Sequence, residues 1–193
     1  MEALLPHHYL PAYEMGRLCA ALGQNGEARV WLSRALLARP DLSEGWYELG
    51  RVQAAAGQFE AALASFERAR RLVPAELRYR CEMAKVLIKL QRREEAIAQL
   101  EQAVKLGQDF WEAHSLLGEQ LAFNGRIGEA RRQFEETLRL NPNVAIAHYN
   151  LGVVLVKQGQ LAEARSEFSE VLRLDPENSM ARGALAQLAR VQQ

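Results

Sequence analysis

The chain repeats itself every 34 residues, and this period restricts its possible folds more than any other feature. Pro40, Pro74, Pro142 and Pro176 fall in one register, with Gln108 at the vacant place. The eighth place of successive units holds Gly16, Gly50, Ala84, Gly118 and Gly152. The fifteenth holds Gly23, Gly57, Gln91, Gly125 and Gly159, and the twentieth is always alanine: Ala28, Ala62, Ala96, Ala130 and Ala164. Bulky residues keep the same frame, with Met15, Leu49, Met83, Leu117 and Leu151 at the seventh place and Leu32, Phe66, Leu100, Phe134 and Phe168 at the twenty-fourth. Five units, 9–42, 43–76, 77–110, 111–144 and 145–178, follow without insertion or deletion.

Each unit reads as helix, turn, helix. In the second, Trp46, Leu49 and Gly50 share one face at helical spacing. Gly57 ends that helix, because glycine accepts the left-handed cap conformation. Ala62, Phe66 and Ala69 form the matching face of the next helix, and Pro74 stops it. Glycine at the eighth place and alanine at the twentieth let two backbones approach closely. A hairpin of this size cannot bury both apolar faces, so neighbours have to stack. The composition, 49% hydrophobic and 25% charged, is that of a folded chain rather than a disordered one. Residues 179–193 continue the pattern as half a unit, with Met180, Ala184, Leu185 and Leu188 on an apolar stripe, and predict a C-terminal capping helix. A leader, 1–8, runs directly into the first unit with no matching cap.

The stretches WYELG (Trp46 to Gly50) and HYNLG (His148 to Gly152), with the closing runs LRLNP and LRLDP, resemble the tetratricopeptide repeat family. Five units in one frame carry the resemblance. It implies an all-α fold: a right-handed superhelical α-solenoid of five helix-turn-helix repeats plus the capping helix. First helices would line a concave surface and second helices a convex one.

Several function classes lack their residues. Lys and Arg total 24 and Asp and Glu 24, so no net charge draws the chain to nucleic acid. No apolar run approaches the roughly 18 residues of a membrane helix, so membrane insertion is not expected. The start lacks a secretory signal, which points to a cytoplasmic location. Cys19 and Cys81 show no metal spacing; Cys19 reads as a small core residue, and Cys81, at the fifth place, as facing the groove near Lys85. His7 and His8 fall in the leader. His114 and His148 share the fourth place with Trp46 and read as packing imidazoles rather than zinc ligands. The glycines of GQNGEA and NGRIGEA follow no strand and are turns, not phosphate loops. Glu94–Glu95 and Glu135–Glu136 read as solvated surface. No catalytic residues, cofactor or metal site is expected, and the chain is not expected to be an enzyme.

Stacked repeats present long concave surfaces suited to peptides. The resemblance places the second, fifth, ninth, twelfth and thirteenth positions of each first helix inward, and the sixth partly so. The candidate groove residues are therefore Tyr13, Arg17, Tyr47, Arg51, Arg78, Lys85, Lys89, Glu119, Phe123, Tyr149, Asn150 and Lys157. YEMGR and YELGR put Tyr13/Tyr47 and Arg17/Arg51 in successive rows, although Glu14–Arg17 and Glu48–Arg51 also have the spacing of simple helix-supporting pairs. Arg78, Lys85 and Lys89, offset by Glu82, form a basic stretch that suits an acidic segment or a C-terminal carboxylate, or else a solvated face. The carboxylate clamp by which some family members hold chaperone tails is not matched: Asn150 fits one position, but Ser115, Glu119, Met180 and Ala184 occupy others. The expected function is a non-enzymatic scaffold holding a protein or peptide partner, an acidic one among the candidates. The alternatives are self-assembly into a homo-oligomer through the uncapped first repeat, and the repeat segment of a larger protein such as a glycosyltransferase.

Overall fold

Residues 9–191 are described by the structure, a computed structural model; His7 and His8 lie outside them. The described residues form eleven helices and no strand. First helices are α1 (Tyr9–Ala21), α3 (Ser43–Ala55), α5 (Leu77–Lys89), α7 (Trp111–Phe123) and α9 (Ala145–Lys157). Second helices are α2 (Asn25–Ala38), α4 (Phe59–Leu72), α6 (Arg93–Leu106), α8 (Ile127–Leu140) and α10 (Leu161–Leu174), and α11 (Ser179–Val191) follows. Helices of 13 or 14 residues are marginal alone, so packing supplies most of their stability.

The same turn joins the two helices of each pair. After α3, the Gln58 N–H donates to Gln53 O at 2.8 Å and the Gly57 N–H to Ala54 O at 3.0 Å, the paired bonds of a Schellman cap. Gly57 has φ +74°, which a side chain resists. The identical bonds recur after α5 around Gln91, at φ +61°, without a glycine.

The turn folds each second helix back onto its first. α1 packs on α2, α3 on α4, α7 on α8 and α9 on α10, and within the units α2 also meets α3, α4 meets α5, α8 meets α9 and α10 meets α11. This is the consecutive pairing of a tetratricopeptide solenoid. Its tightest contact is glycine against aromatic: a Cβ on Gly50 would lie 2.6 Å from Phe66, and one on Gly118 2.7 Å from Phe134. Overpacking of that kind costs roughly 1–3 kcal/mol.

The contacts divide the chain into two compact units, Met1–Gln102 and Ala103–Gln193. The core of the first holds Leu32, Leu49, Val52, Phe66, Tyr79, Met83 and Val86. That of the second holds Leu117, Leu121, Phe134, Leu151, Val154, Phe168 and Val171. Cys19 is buried, as a small core residue would be.

The fourth place joins one helix pair to the turn before it. Trp46 Nε1 donates to Pro40 O at 2.9 Å, and His114 and His148 place Nε2 3.1 Å from Gln108 O and 3.0 Å from Pro142 O. Arg182 donates to Pro176 O in the same way. Both histidines thus pack with their polar edges satisfied, each Nδ1 meeting the following second helix: Gln133 at 2.8 Å and Glu167 at 2.6 Å. Arg80 is the exception. It reaches Gln99, but its Nε is buried without a partner, and burial and neighbouring Arg70 lower its pKa.

Candidate functional site

Adjacent first helices leave a cleft between them, and two such clefts occur at matching places. In the first unit, α1 and α3 enclose about 270 Å³ lined by Arg17, Ala20, Ala21, Asn25, Glu48, Arg51, Val52 and Ala55. In the second, α7 and α9 enclose about 350 Å³ lined by Glu119, Ala122, Phe134, Ile146, Asn150, Val153, Val154 and Lys157. Each cleft uses the ninth and twelfth places of one first helix and the sixth, ninth, tenth and thirteenth of the next. Their chemistry differs: two guanidiniums, one carboxylate and small side chains in one, an apolar floor with a carboxylate and an ammonium in the other.

Five of the candidate residues line these clefts: Arg17, Arg51, Glu119, Asn150 and Lys157. Asn150 Nδ2 donates to Glu119 Oε1 at 3.4 Å. Phe123, at the last position of α7, is 67% exposed. Tyr149 is half-buried and packs on Phe168 with ring centroids 5.5 Å apart.

The fifth place turns out to be covered or half-covered rather than an open wall. Tyr47 is buried, with its ring 5.3 Å from that of Tyr79 and 5.9 Å from that of Phe66. Cys81, expected to face the groove, is only 4% exposed. This corrects the expectation, and it holds at the same place in three units, where Tyr47, Cys81 and Ser115 are all buried. Tyr13 lacks full cover and is half-buried. Burial raises the pKa of Tyr13, Tyr47 and Tyr79, so all three phenols stay neutral near pH 7.

The tyrosines carry cations. The Arg17 guanidinium lies 5.6 Å from the Tyr13 ring centroid, and Tyr47 has Arg51 at 5.9 Å and Arg78 at 5.3 Å. Arg78 is bound further: its Nη2 donates to Glu76 at 2.9 Å and to Glu44 at 3.0 Å. The hydrogen bond to Glu76 above all raises the pKa of Arg78 and lowers that of Glu76. Lys85 pairs with Glu82 at 2.7 Å, and Lys89 is exposed. The basic stretch of α5 is therefore largely compensated by its own carboxylates.

A third cavity, about 380 Å³, lies outside the first-helix clefts and is lined by Glu60, Leu63, Ala64, Glu67, Met83, Leu87, Arg92, Glu95 and Gln99. Sequence reading assigned Glu95 to plain surface and missed this cavity, as it missed Asn25 in the α1–α3 cleft. The only signal for Asn25 was its position next to the fifteenth-place glycine turn. Among the described residues, no group of His, Cys, Asp and Glu has a metal-holding arrangement, and no helix is long and apolar enough to cross a membrane.

Helix pairs stacked in series, with side-chain-lined clefts between first helices, define the class of repeat solenoids that serve as protein-interaction scaffolds. The chain belongs to the tetratricopeptide repeat family. Models of that repeat match residues 119–179, 154–193 and 10–34, and a model described as the cytochrome c-type biogenesis protein H TPR domain matches 29–144. No curated protein sequence matches. Among solved structures, the chain resembles pilF of Pseudomonas aeruginosa, at 21% identity over 95% of this chain and 84% of that one, with a TM-score of 0.85. It resembles MamA of Desulfovibrio magneticus, at 20% identity over 89% and 97%, with a TM-score of 0.76. It also resembles YrrB, described as a TPR protein with an unusual peptide-binding site, at 24% identity over 92% of both chains, with a TM-score of 0.72.

Proposed function

We propose that this chain is a non-enzymatic scaffold of five tetratricopeptide repeats, 9–42, 43–76, 77–110, 111–144 and 145–178, with 179–193 as a capping helix, which holds a peptide segment of a partner protein against its first helices. The recurrence of a cleft at the same repeat places in α1–α3 and α7–α9 carries this reading. A cleft of this kind between two first helices suits a short stretch of an extended chain. The described peptide-binding site of YrrB supports the same ligand class. Arg51, Lys85 and Lys89, exposed on α3 and α5, are assigned to partner contact.

The test is capture from native lysate by the wild-type chain and by the triple variant Arg51→Glu, Lys85→Glu, Lys89→Glu. The variant is expected to keep its helical circular dichroism and to lose the captured partner. An unchanged set of captured proteins would count against the first-helix surface.

A second reading has its own support. Leu10, Met15, Leu18 and Leu22 of the α1 region are exposed, and such a patch suits self-association.

A further inference from the structure

We infer that the α1–α3 cleft is a carboxylate-binding pocket that takes an acidic side chain or the C-terminal carboxylate of a peptide. This deepens the scaffold role proposed above and rests on it.

The cleft has two cations placed to converge. Arg17 and Arg51 occupy the same place in successive first helices, so they line the cavity from opposite walls. Each is braced on the ring of the tyrosine four residues earlier, which orders the guanidinium without using its N–H groups.

Their donors are largely unspent. Arg17 reaches Glu14 through one contact of 3.5 Å, and Arg51 reaches Glu48 through one of 3.4 Å. Pairs at the same three-residue spacing elsewhere in the chain are closed. Arg92–Glu95, Arg126–Glu129 and Arg139–Glu136 each make two hydrogen bonds of 2.6–2.9 Å. Spacing alone therefore does not account for the long contacts in the cleft. A planar carboxylate between the walls would give both forks the short, charge-assisted bonds that their own glutamates do not.

The remaining lining fits a small polar group. Ala20, Ala21 and Ala55 leave room, and Asn25, the first residue of α2, adds an amide at the positive end of that helix. Glu48 also lines the cleft and offsets one of the two charges. Its carboxylate can accept an N–H from the same peptide, which a bare inorganic anion does not offer. The α7–α9 cleft lacks this arrangement, having Glu119 and Val153 at the two places where α1–α3 has arginines.

The probe is a fluorescein-labelled peptide of alternating Asp and Ala with a free C-terminus, read by fluorescence anisotropy on the full chain. Its C-terminally amidated form and its Asp→Asn form separate the two carboxylate sources. The variants are R17Q/R51Q, the charge-retaining R17K/R51K, and Lys105→Gln, an exposed cation on the second helix α6 outside both clefts. We expect R17Q/R51Q to weaken binding by about tenfold or more, R17K/R51K to fall between it and wild type, and Lys105→Gln to leave it unchanged. Loss of binding on amidation assigns the terminal carboxylate, and loss on Asp→Asn assigns the side chain. Absence of binding to wild type, or equal binding to R17Q/R51Q, overturns the pocket. Either result leaves the scaffold role standing if the lysate capture still depends on Arg51, Lys85 and Lys89.

Discussion

Gln91 shows how far a single residue can be read. The column of glycines at the fifteenth place marks a turn, and Gln91 interrupts it. The backbone does not change in response: Gln91 sits at φ +61° with the same two cap bonds that surround the glycines at +74° to +77°. Packing on either side imposes the turn, and the residue bears the steric cost of about 1 kcal/mol. Gln91→Gly is therefore expected to stabilise the protein by up to about 1 kcal/mol, less the added chain entropy of glycine. The check is the urea midpoint against wild type; a midpoint that falls would mean the turn is not left-handed in solution. Cys81 is the opposite case. Its place in the repeat was legible, but its burial was not, because cover at the fifth place varies from unit to unit, Tyr47 and Cys81 being buried and Tyr13 and Tyr149 half-buried. Arg78 and Lys85 were legible as basic and Glu82 as their offset, whereas the pairing of Arg78 with Glu44 and Glu76 rests on distances that no helix spacing rule supplies.

At the scale of helices, the periods of glycine, alanine and proline made the pairing of α1 to α10 readable in advance. A subtler pairing was present in the sequence and went unread. The fourth and twenty-third places of a unit meet: Arg80 with Gln99, His114 with Gln133, His148 with Glu167. Each pair ties a first helix to its second. The last is charge-dependent, since His148 faces acceptors through both ring nitrogens, Glu167 at 2.6 Å and the Pro142 carbonyl at 3.0 Å. Burial lowers the pKa of His148, but the hydrogen bonds to Glu167 and Pro142, with the charges of Glu167 and Glu170, outweigh it and raise the pKa above 6.5. A histidine with a raised folded pKa stabilises most below its unfolded pKa and loses that contribution as pH rises through the folded one. Glu167→Gln would give this pair the composition of His114–Gln133 and remove most of the charge dependence. The stability difference between wild type and Glu167→Gln is thus expected to be about 0.5–1 kcal/mol near pH 6 and to shrink above pH 7. Urea unfolding at pH 5.5, 6.5, 7.5 and 8.5, taken in steps of about one unit around the ordinary histidine pKa, measures it. A difference that stays constant across that series would rule out the imidazolium.

For the whole molecule, the repeat that makes the fold legible also shows how α1 differs from later first helices. Leu49 and Val52, Met83 and Val86, and Leu151 and Val154 are buried pairs at the seventh and tenth places. Within the units, the second helix of the preceding pair packs against such first helices, as α2 does against α3 and α8 against α9. Met15 and Leu18 hold the same two places on α1 and are 41% and 55% exposed. Residues chosen for a packed interface are thus open to solvent, beside exposed Leu10, Leu22 and Val30. Burying a side chain of this size contributes about 1.5–3 kcal/mol, so a second apolar surface would find a strong driving force there. A second copy brings the same patch, and a two-fold contact would cover both at once. Sedimentation velocity over about two decades of concentration is expected to show wild type associating and Met15→Glu, Leu18→Glu remaining monomeric. Neither Met15 nor Leu18 lines the α1–α3 cleft, so the double variant should still bind through Arg51. A wild-type chain that stays monomeric throughout would remove self-assembly and leave the first-helix clefts as the working surface.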